Sequence, residues 1–232
     1  MTSTSPSSAH SENAANSEYV LHRLRTDVPA QDVLADPPPV PDFDGPFRLR
    51  IADAQKNSSS DANLVAEWMA RPHLVETWEQ AWEPEKWRDE WTAKLATTYA
   101  LPLILSYQEQ GEWKDVGYVE IYRPHRDEIA HTYQSQAHDL GFHIAIGEPD
   151  LTGKGLFSPF MKELAEKLLA ADPECDLVIV EPDYRNAQMH RALTKVDWVD
   201  VGERQQRADR RVRLFFYPAA GVDTAARGQQ QS

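Results

Sequence analysis

Cysteine is almost absent from this chain of 232 residues, which contains only Cys175. A single thiol cannot form a disulfide within the chain or build a cysteine zinc site, and it is typical of a reducing compartment. The histidines show no metal-ligand spacing either, so we expect no metal. No apolar run approaches the ~18 residues of a membrane-spanning helix, and the first residues lack the basic and apolar parts of a secretory signal. We therefore expect a cytoplasmic protein that does not contact a membrane.

Basic residues are also scarce, with 24 Lys and Arg against 37 Asp and Glu and a formal net charge of −13. A general nucleic-acid binder needs a basic surface, so this charge balance argues against one. The exception is the stretch from Arg204 to Arg213, which contains five arginines and one aspartate. This stretch is either an exposed hairpin turn or a surface that attracts an anionic ligand or partner protein.

The composition divides the chain into three parts. Residues 1–46 contain seven of the sixteen prolines together with many small polar residues, and we expect a largely flexible extension. Residues 219–232 are small and polar and are expected to be a flexible tail. The folded domain is therefore predicted to span residues 47–218.

Within residues 47–218, apolar residues recur with the periods of both strands and helices. The patterns predict strands over 47–51, 102–107, 116–122, 138–146, 177–180, 198–204 and 211–217, and helices over 61–70, 84–97, 154–170 and 186–195. Helix 61–70 is expected to stop at Arg71, because the residue before a proline disfavours helix. The order is mixed α/β without a regular βαβ repeat, which argues against a doubly wound Rossmann sheet.

The segment 144–157 contains the clearest local motif, a strand followed by a glycine loop and a helix. Gly153 and Gly155 let backbone N–H groups approach a ligand closely, Lys154 adds a positive charge, and a helix N-terminus follows. This combination can bind a pyrophosphate, although an ordinary strand-to-helix turn is the alternative. The glycine spacing matches neither a Walker A loop nor a complete dinucleotide fingerprint.

Several motifs together resemble a known family. They are the segments 67–78 (EWMARPHLVETW), 117–122 (GYVEIY), 138–146 (HDLGFHIAI) and 181–186 (EPDYRN), together with the glycine loop. In combination they resemble the GCN5-related N-acetyltransferase (GNAT) superfamily, and within it the siderophore-biosynthesis lysine N-acyltransferases of the mycobactin and aerobactin type. The resemblance covers residues 47–218 and implies an α/β (α+β) fold, with a central mixed, mostly antiparallel sheet flanked by helices.

The resemblance also implies a function. The expected reaction transfers an acyl group from acyl-CoA, or from an acyl carrier protein, to the N6 amine or hydroxylamine of lysine or a related diamine in hydroxamate siderophore biosynthesis. The basic stretch from Arg204 to Arg213 would then face the anionic donor. Two alternatives remain: an aminoglycoside 6′-N-acetyltransferase, and a module that binds acyl-CoA without catalysis.

The family resembled carries its proposed catalytic residues at the positions of His143 and Asp183. An ordinary histidine pKa near ~6.5 suits a base that works at neutral pH, although a half-buried histidine in a strand is more often bonded to the backbone. Asp183 follows a buried strand and is interpreted either as a site residue or as a cap of the next helix. The sequence suggests that Asp183 orients His143 or holds the substrate amine, and it does not say which of the two takes the proton.

The same resemblance assigns the donor site. The acyl arm is expected along the strand at Ile144 and Ile146, and the pyrophosphate at the loop, with a further contact at the start of the next helix; the loop and helix residues are Gly153, Lys154, Gly155, Leu156 and Asn186. The chain departs from the family pattern twice. Asp150 replaces a Gln or Arg, and Leu193 replaces the tyrosine often regarded as the general acid. The leaving thiolate would then be protonated by another group or by water.

Five of the seven tryptophans lie between residues 68 and 91. Most of them are expected in the core, because an indole buries a large area. Trp78 and His73 follow Pro72 in the region where the family binds its acceptor, so we predict that they contact the substrate. His138 and Asp139, just before the strand that carries His143, are further candidates for that contact.

Overall fold

One seven-stranded sheet forms the centre of the fold. A computed structural model describes residues 21, 23–55 and 60–230. The strands are β1 (Phe47–Ile51), β2 (Ala100–Glu109), β3 (Glu112–Tyr122), β4 (Leu140–Ile146), β5 (Leu177–Val180), β6 (Val199–Arg207) and β7 (Arg210–Pro218). They lie in the order β1-β2-β3-β4-β5-β7-β6. Among these strands the β4–β5 pair alone is parallel. The mixed, mostly antiparallel sheet is confirmed.

Six helices accompany the sheet in the described part of the chain. They are α1 (Asp61–Met69), α2 (Pro72–Trp78), α3 (Pro84–Leu95), α4 (Phe157–Ala171), α5 (Ala187–Thr194) and α6 (Thr224–Arg227). Helix α2 was not predicted, because the residue before Pro72 was expected only to end the preceding helix. A proline also suits the first position of a helix, so Pro72 begins α2 directly after α1 ends. Helix α4 begins at Phe157 and not at Lys154, because Gly153 and Gly155 have φ angles of +73° and +75°.

The sheet is covered on both faces by apolar side chains. Helix α4 packs on one face, against β2, β3 and β4, through residues that include Phe160, Leu164 and Leu168. Helices α1 and α3 pack on the other face with Trp68, Trp87 and Trp91, which are fully buried. These three tryptophans are core residues, as expected for most of the cluster. The two layers fix the position of β4 between them.

The contact between β4 and β5 is short. Pairing is confined to Leu140 with Val178 and Gly141 with Ile179. On its other edge β4 pairs with β3 from Gly141 to Ile146, which is all of the strand except Leu140. The part of β4 beyond Gly141 therefore has no strand beside it on the β5 side, and an opening in the sheet begins at this point.

A tight contact fixes the end of β4, and it leads to a prediction. A Cβ added at Gly147 would lie 2.2 Å from Cγ of Trp68, which is fully buried. We expect Gly147→Ala to lower the free energy of unfolding by about 1–3 kcal/mol, because the indole has no room to move. Urea denaturation measures the loss. Gly45→Ala is the control, since nothing lies within 4 Å of its added Cβ. Equal midpoints for the two variants would contradict the prediction.

The segment before β1 contacts the folded domain. Leu24 forms a bridge with Asp127, and the backbone of residues 23 and 25 bonds to that of Glu128 and Arg126. These partners lie in two short 3-10 helices between β3 and β4, Pro124–Arg126 and Glu128–Thr132. Residues 1–20 and 22 lie outside the described residues, so the flexible extension predicted there stays a prediction.

The residues after β7 differ from the tail expected over 219–232. Helix α6 lies here, and its Arg227 is buried. The guanidinium donates to Asp139 and Asp176, both at 2.6 Å. Asp139 is fully buried and needs a counter-ion, which the small, polar composition of this segment did not reveal. Asp139 is therefore an anchor for α6 and not a substrate contact.

Candidate active site

His143 lies in β4 at the start of the opening, between two glutamates. Its Nε2 donates a hydrogen bond of 2.5 Å to Oε1 of Glu181, the residue directly after β5. Its Nδ1 lies 3.6 Å from Oε1 of Glu120, which is the register partner of His143 on β3. The side chain of His143 is 19% exposed and both carboxylates are buried. The imidazole is therefore oriented from both sides and still reaches the cleft.

Tyr122 holds both His143 and Glu181 in place. Its ring stacks on the imidazole at a centroid distance of 4.6 Å and an angle of 12°, and its hydroxyl donates to Oε1 of Glu181 at 2.7 Å. The register explains the stacking, because Tyr122 pairs with Gly141. A Cβ at Gly141 would lie 2.7 Å from the Tyr122 ring, so the glycine gives the ring its place. An aromatic face below the imidazole also favours its charged form.

Glu120 belongs to a buried charged cluster that extends away from the cleft. Lys94 of α3 donates to Oε2 of Glu120 at 2.5 Å and also to Glu90, one turn earlier on the same helix. Tyr118 donates to the same Oε2 at 3.0 Å. Lys94, Glu90 and Glu120 are all buried. Each carboxylate thus has a cationic partner, which buried charges require.

These contacts determine the charge of the imidazole. Burial lowers the pKa of His143, but the charge and hydrogen bond of Glu181 and the nearby carboxylate of Glu120 outweigh it and raise the pKa to about 9. Burial likewise raises the pKa of Glu120, yet Lys94 and His143 bring it far below its usual range. The pKa of Glu181 is lowered against burial by His143 and Tyr122. At neutral pH the free site therefore holds an imidazolium between two carboxylates.

Asp183 lies in the same cleft but does not contact His143. Its carboxylate accepts from the Arg185 guanidinium at 2.8 and 2.9 Å and from the Arg185 backbone N–H at 2.9 Å. Burial raises the pKa of Asp183, but hydrogen bonds and the charge of Arg185 lower it overall. The suggestion that Asp183 orients His143 is wrong, because Glu181 occupies that position two residues earlier. Asp183 also does not cap α5, since Asn186 does so by accepting from Met189 N.

Five of the residues predicted from sequence line one cleft beside the opening in the sheet: Trp78, His143, Ile144, Asp183 and Asn186. The Trp78 ring meets the His143 ring edge-on at a centroid distance of 6.2 Å. Apolar residues from α4, α5 and β5 complete the wall: Met161, Val180, Met189 and Leu193. This wall of the cleft is therefore apolar, whereas acidic groups surround the imidazole.

Two predicted acceptor contacts lie outside this cleft. His73 donates through Nε2 to the Ile146 carbonyl at 2.9 Å. His138 precedes β4, with its Nδ1 3.0 Å from Asp172 and its Nε2 3.3 Å from Glu174. Neither histidine is among the lining residues. The cleft therefore gives no support to a contact of either histidine with the acceptor, and that contact stays a prediction.

The edge of β4 and the glycine loop together have the polar groups that a CoA thioester needs. The Ile146 carbonyl accepts from His73 and so points away from β3. Polar groups alternate along a strand, so the N–H of Ile144 faces the same opening. In the described loop, the N–H groups of Gly153, Lys154 and Gly155 donate no backbone hydrogen bond, and α4 begins two residues later. These residues fit a donor with a pantetheine arm and a pyrophosphate.

No tyrosine hydroxyl is free to protonate a leaving group in the described cleft. Leu193, at the position of the family's tyrosine, is fully buried and lines the wall. The one tyrosine among the lining residues is Tyr99, and its hydroxyl donates to Asp127. Burial and the neighbouring Asp127 raise its pKa well above the usual value. The chain thus lacks the usual tyrosine acid, as its sequence indicates.

The basic stretch from Arg204 to Arg213 forms the β6–β7 hairpin, and most of its charge is balanced. Arg207 pairs with Glu128 and Asp209, and Arg213 pairs with Asp200, all at 2.7–2.8 Å. Arg211 lies 3.7 Å above the Tyr184 ring and 3.4 Å from Glu203. The hairpin interpretation is therefore correct, and these paired arginines do not form a free basic surface. Arg210 differs from them, because it lines the cleft.

Two groups of the site were not predicted, Glu120 and Glu181. Both belonged to motifs that carry the family resemblance, but neither was singled out. The sequence of β3 could have indicated Glu120, because this charged residue lies between apolar neighbours in a strand that should be buried. Across an antiparallel pair such a charge needs a partner on the neighbouring strand, and His143 is that partner.

Comparisons with known proteins agree with this geometry. Residues 57–206 match the acetyltransferase (GNAT) domain family. The chain is 36% identical to lysine N-acyltransferase MbtK of Mycobacterium sp. (strain MCS) over 214 residues, which cover 92% of this chain and 84% of the relative. It is 30% identical to the N-hydroxyputrescine acetyltransferase of Acinetobacter baumannii over 170 residues, which cover 69% of this chain and 77% of that one.

A solved structure supports the fold. The aminoglycoside acetyltransferase AAC(6′)-Ib in complex with coenzyme A and kanamycin superposes with a TM-score of 0.61 at 21% identity, over 74% of this chain and 94% of that one. At this identity the likeness concerns the architecture alone. Together with the family match and the relatives above, it shows that the chain belongs to the GNAT family of acyl-CoA-dependent N-acyltransferases, in the group of lysine N-acyltransferases that its motifs predict.

Proposed function

We propose that this chain transfers an acyl group from acyl-CoA to the side-chain nitrogen of lysine or N6-hydroxylysine in hydroxamate siderophore biosynthesis, in the cytoplasm. The observation that carries the proposal is the position of His143, held by Glu120 and Glu181 at the open edge of β4. The family relation and the lysine N-acyltransferase relatives support the same reaction. The donor would lie along Ile144 and Ile146, with its pyrophosphate at Gly153–Leu156.

The residues of the cleft have distinct tasks in this reaction. Acyl-CoA supplies a thioester that an amine can attack. An amine with a lysine-like pKa near ~10.4 is mostly charged at neutral pH and must lose a proton first. Neutral His143 accepts that proton, and Glu120 and Glu181 stabilise the imidazolium. Trp78 and the apolar wall hold the alkyl chain, and Asp183 attracts the cationic acceptor. The amine nitrogen bonds to the carbonyl carbon, the C–S bond breaks, the nitrogen releases its second proton to water, and the thiolate takes a proton from water.

The raised pKa of His143 predicts a pH dependence. With a pKa of about 9, the neutral base is a small fraction of the free enzyme at pH 7, roughly one in a hundred. We expect kcat/KM to rise with pH and to level off above about pH 9. Glu181→Gln removes the anion that raises the pKa of His143, so its rise should lie at lower pH. Rate measurements with lysine between pH 6 and 10 test this.

An unchanged midpoint in the Glu181→Gln variant, or a flat wild-type profile, would contradict the role of the pair. Glu163→Gln is the control, because Glu163 is on α4, outside the cleft lining, and has Lys167 as its ion-pair partner. Its profile should coincide with that of the wild type. A change in the profile is more informative than a lower rate, since a purely structural loss would not move the midpoint.

The function itself is tested by thiol release with several acceptors and donors. Lysine, N6-hydroxylysine and N-hydroxycadaverine are each offered with acetyl-CoA and with longer acyl-CoAs, and kanamycin is a separate arm. Release with a lysine-type acceptor supports the proposal. Release with kanamycin alone would indicate the aminoglycoside alternative. Acyl-CoA binding without transfer to any amine would indicate a non-catalytic module. A parallel series with acylated carrier protein tests whether such a protein is the donor.

A further inference from the structure

Two arginines that have no part in this reaction line the same cleft as His143. Arg23 comes from the segment before β1, and Arg210 is the first residue of β7. The lining contains neither Gly153 nor Gly155, so these cations do not belong to the glycine loop. Two guanidinium groups would repel a cationic acceptor. Their presence in this cleft therefore has to be explained by another part of the ligand.

Neither guanidinium donates a hydrogen bond to another described residue. Arg23 Nε is buried without a hydrogen-bond partner, and it lies 3.9 Å from Oε1 of Glu128. Arg210 Nη1 lies 3.7 Å from Oε2 of Glu79. Both distances exceed that of a hydrogen bond. In the rest of the hairpin, by contrast, Arg207 and Arg213 donate directly to carboxylates. Among the described residues, the side-chain donors of Arg23 and Arg210 therefore have no hydrogen-bond acceptor, and both residues line the cleft.

The two cations also repel each other. Burial is the main cause of a lowered pKa at Arg210, and the charge of Arg23 is the next. A carboxylate between them would relieve this repulsion and accept from both guanidinium groups, whose planar shape matches it. The charge of Arg23 also reaches Glu181, the partner of His143. The cationic pair thus lies within the electrostatic range of the reacting nitrogen.

Gln206 adds an acceptor to the same part of the cleft. The β6–β7 register skips one residue between Gln205 and Arg207, so Gln206 is the extra residue of a β-bulge. A bulge redirects its side chain, and Gln206 lines the cleft at 8% exposure. Its Oε1 is buried without a hydrogen-bond partner among the described residues. An ammonium group would satisfy this oxygen.

We propose that Arg23 and Arg210 bind the α-carboxylate of the acceptor and that Gln206 Oε1 accepts from its α-ammonium group. The acceptor is then a free α-amino acid with a side-chain nitrogen, and not a diamine. This inference rests on the proposed function, since that reaction brings the side-chain nitrogen to His143. It makes Arg23 and Arg210 specificity residues that act on the end of the substrate remote from the reaction.

The test compares L-lysine with cadaverine, which differ only in the α-carboxylate. Charge-assisted hydrogen bonds of this kind correspond to about 10–100-fold in affinity. We expect wild-type kcat/KM to favour lysine by about that factor. Arg210→Met and Arg23→Met should each lower the ratio of kcat/KM for lysine to kcat/KM for cadaverine about 10-fold or more, because a change in the charge at Glu181 affects both acceptors and cancels in this ratio. Arg211→Met is the matched control, because Arg211 is adjacent, 45% exposed and outside the lining. It should behave as the wild type.

Equal use of the two acceptors by the wild type, or equal losses with both in the variants, would overturn the carboxylate site and leave the proposed function intact. The absence of transfer to any acceptor would instead contradict the proposed function. Calorimetric titration with L-lysine and with cadaverine measures the affinity of the site for each compound without turnover. Selective binding of lysine that Arg210→Met abolishes would support the site even then, whereas a lack of selectivity would reject it.

Discussion

Replacement of His143 by glutamine should lower kcat by about 10²–10⁴-fold, the range typical for loss of a general base. Glutamine keeps a donor for Glu181, so the side chain still has a hydrogen-bond partner, but it cannot accept a proton from an amine. The loss should fall mainly on kcat, because Trp78 and the apolar wall remain to bind the acceptor. Steady-state acyl transfer to lysine at saturating acyl-CoA measures it.

His138→Gln is the matched control for this experiment. His138 is also a histidine paired with carboxylates, and it lies five residues before His143, but it does not line the cleft. We expect its kcat to stay within about twofold of the wild type, as for a surface pair of small energy. A His143→Gln variant that is folded by circular dichroism and retains wild-type kcat would remove His143 from the mechanism.

Replacement of Lys94 by methionine should lower the free energy of unfolding by about 3–5 kcal/mol, because it leaves buried carboxylates without their cation. Methionine has a similar length and fits an apolar site, so the loss comes mainly from the unbalanced charges of Glu90 and Glu120. Urea denaturation at pH 7 measures it. The loss should shrink in acid, since a carboxylate that lacks Lys94 takes up a proton at higher pH than in the wild type.

Lys114→Met is the control for charge removal. Lys114 pairs with Glu109 at 3.1 Å, and its side chain is 57% exposed. An exposed pair of this kind contributes about 0–1 kcal/mol, so the two lysine variants should differ clearly. Equal unfolding midpoints for Lys94→Met and the wild type would show that the buried cluster is not balanced by Lys94.

The sheet and most helices follow from local patterns in the sequence. Alternation in β1 and the apolar run of β5 predict strands that the structure contains, and the four-residue spacing in α4 predicts a helix that packs on the sheet. Local patterns do not predict helix α2, because the sequence around Pro72 ends one helix and begins another. They do not predict helix α6 either, because its docking depends on Arg227 meeting Asp139, 88 residues away in sequence.

The site shows the same division between local and distant information. His143 and Asp183 come from motifs, and both line the cleft. The partner of His143 could not be read from one motif, since Glu120, His143 and Glu181 come from three different strands or their ends and meet only through register. Arg23 lies in a proline-rich segment that the composition assigns to a flexible extension, and its place in the cleft depends on the bridge between its neighbour Leu24 and Asp127. Tertiary pairing determines these positions.

The imidazolium between Glu120 and Glu181 has a consequence for proton exchange with the solvent. At neutral pH the His143 imidazole of the free enzyme is already protonated and cannot accept a proton from the substrate. An acceptor that binds as an ammonium ion therefore brings a second proton to the same cleft. One proton must then pass to the buffer before the amine can react, and the heat of acceptor binding will include the ionisation enthalpy of that buffer. A hydroxylamine, which is less basic and enters uncharged, brings no extra proton. Its binding heat should therefore be nearly the same in phosphate and in Tris.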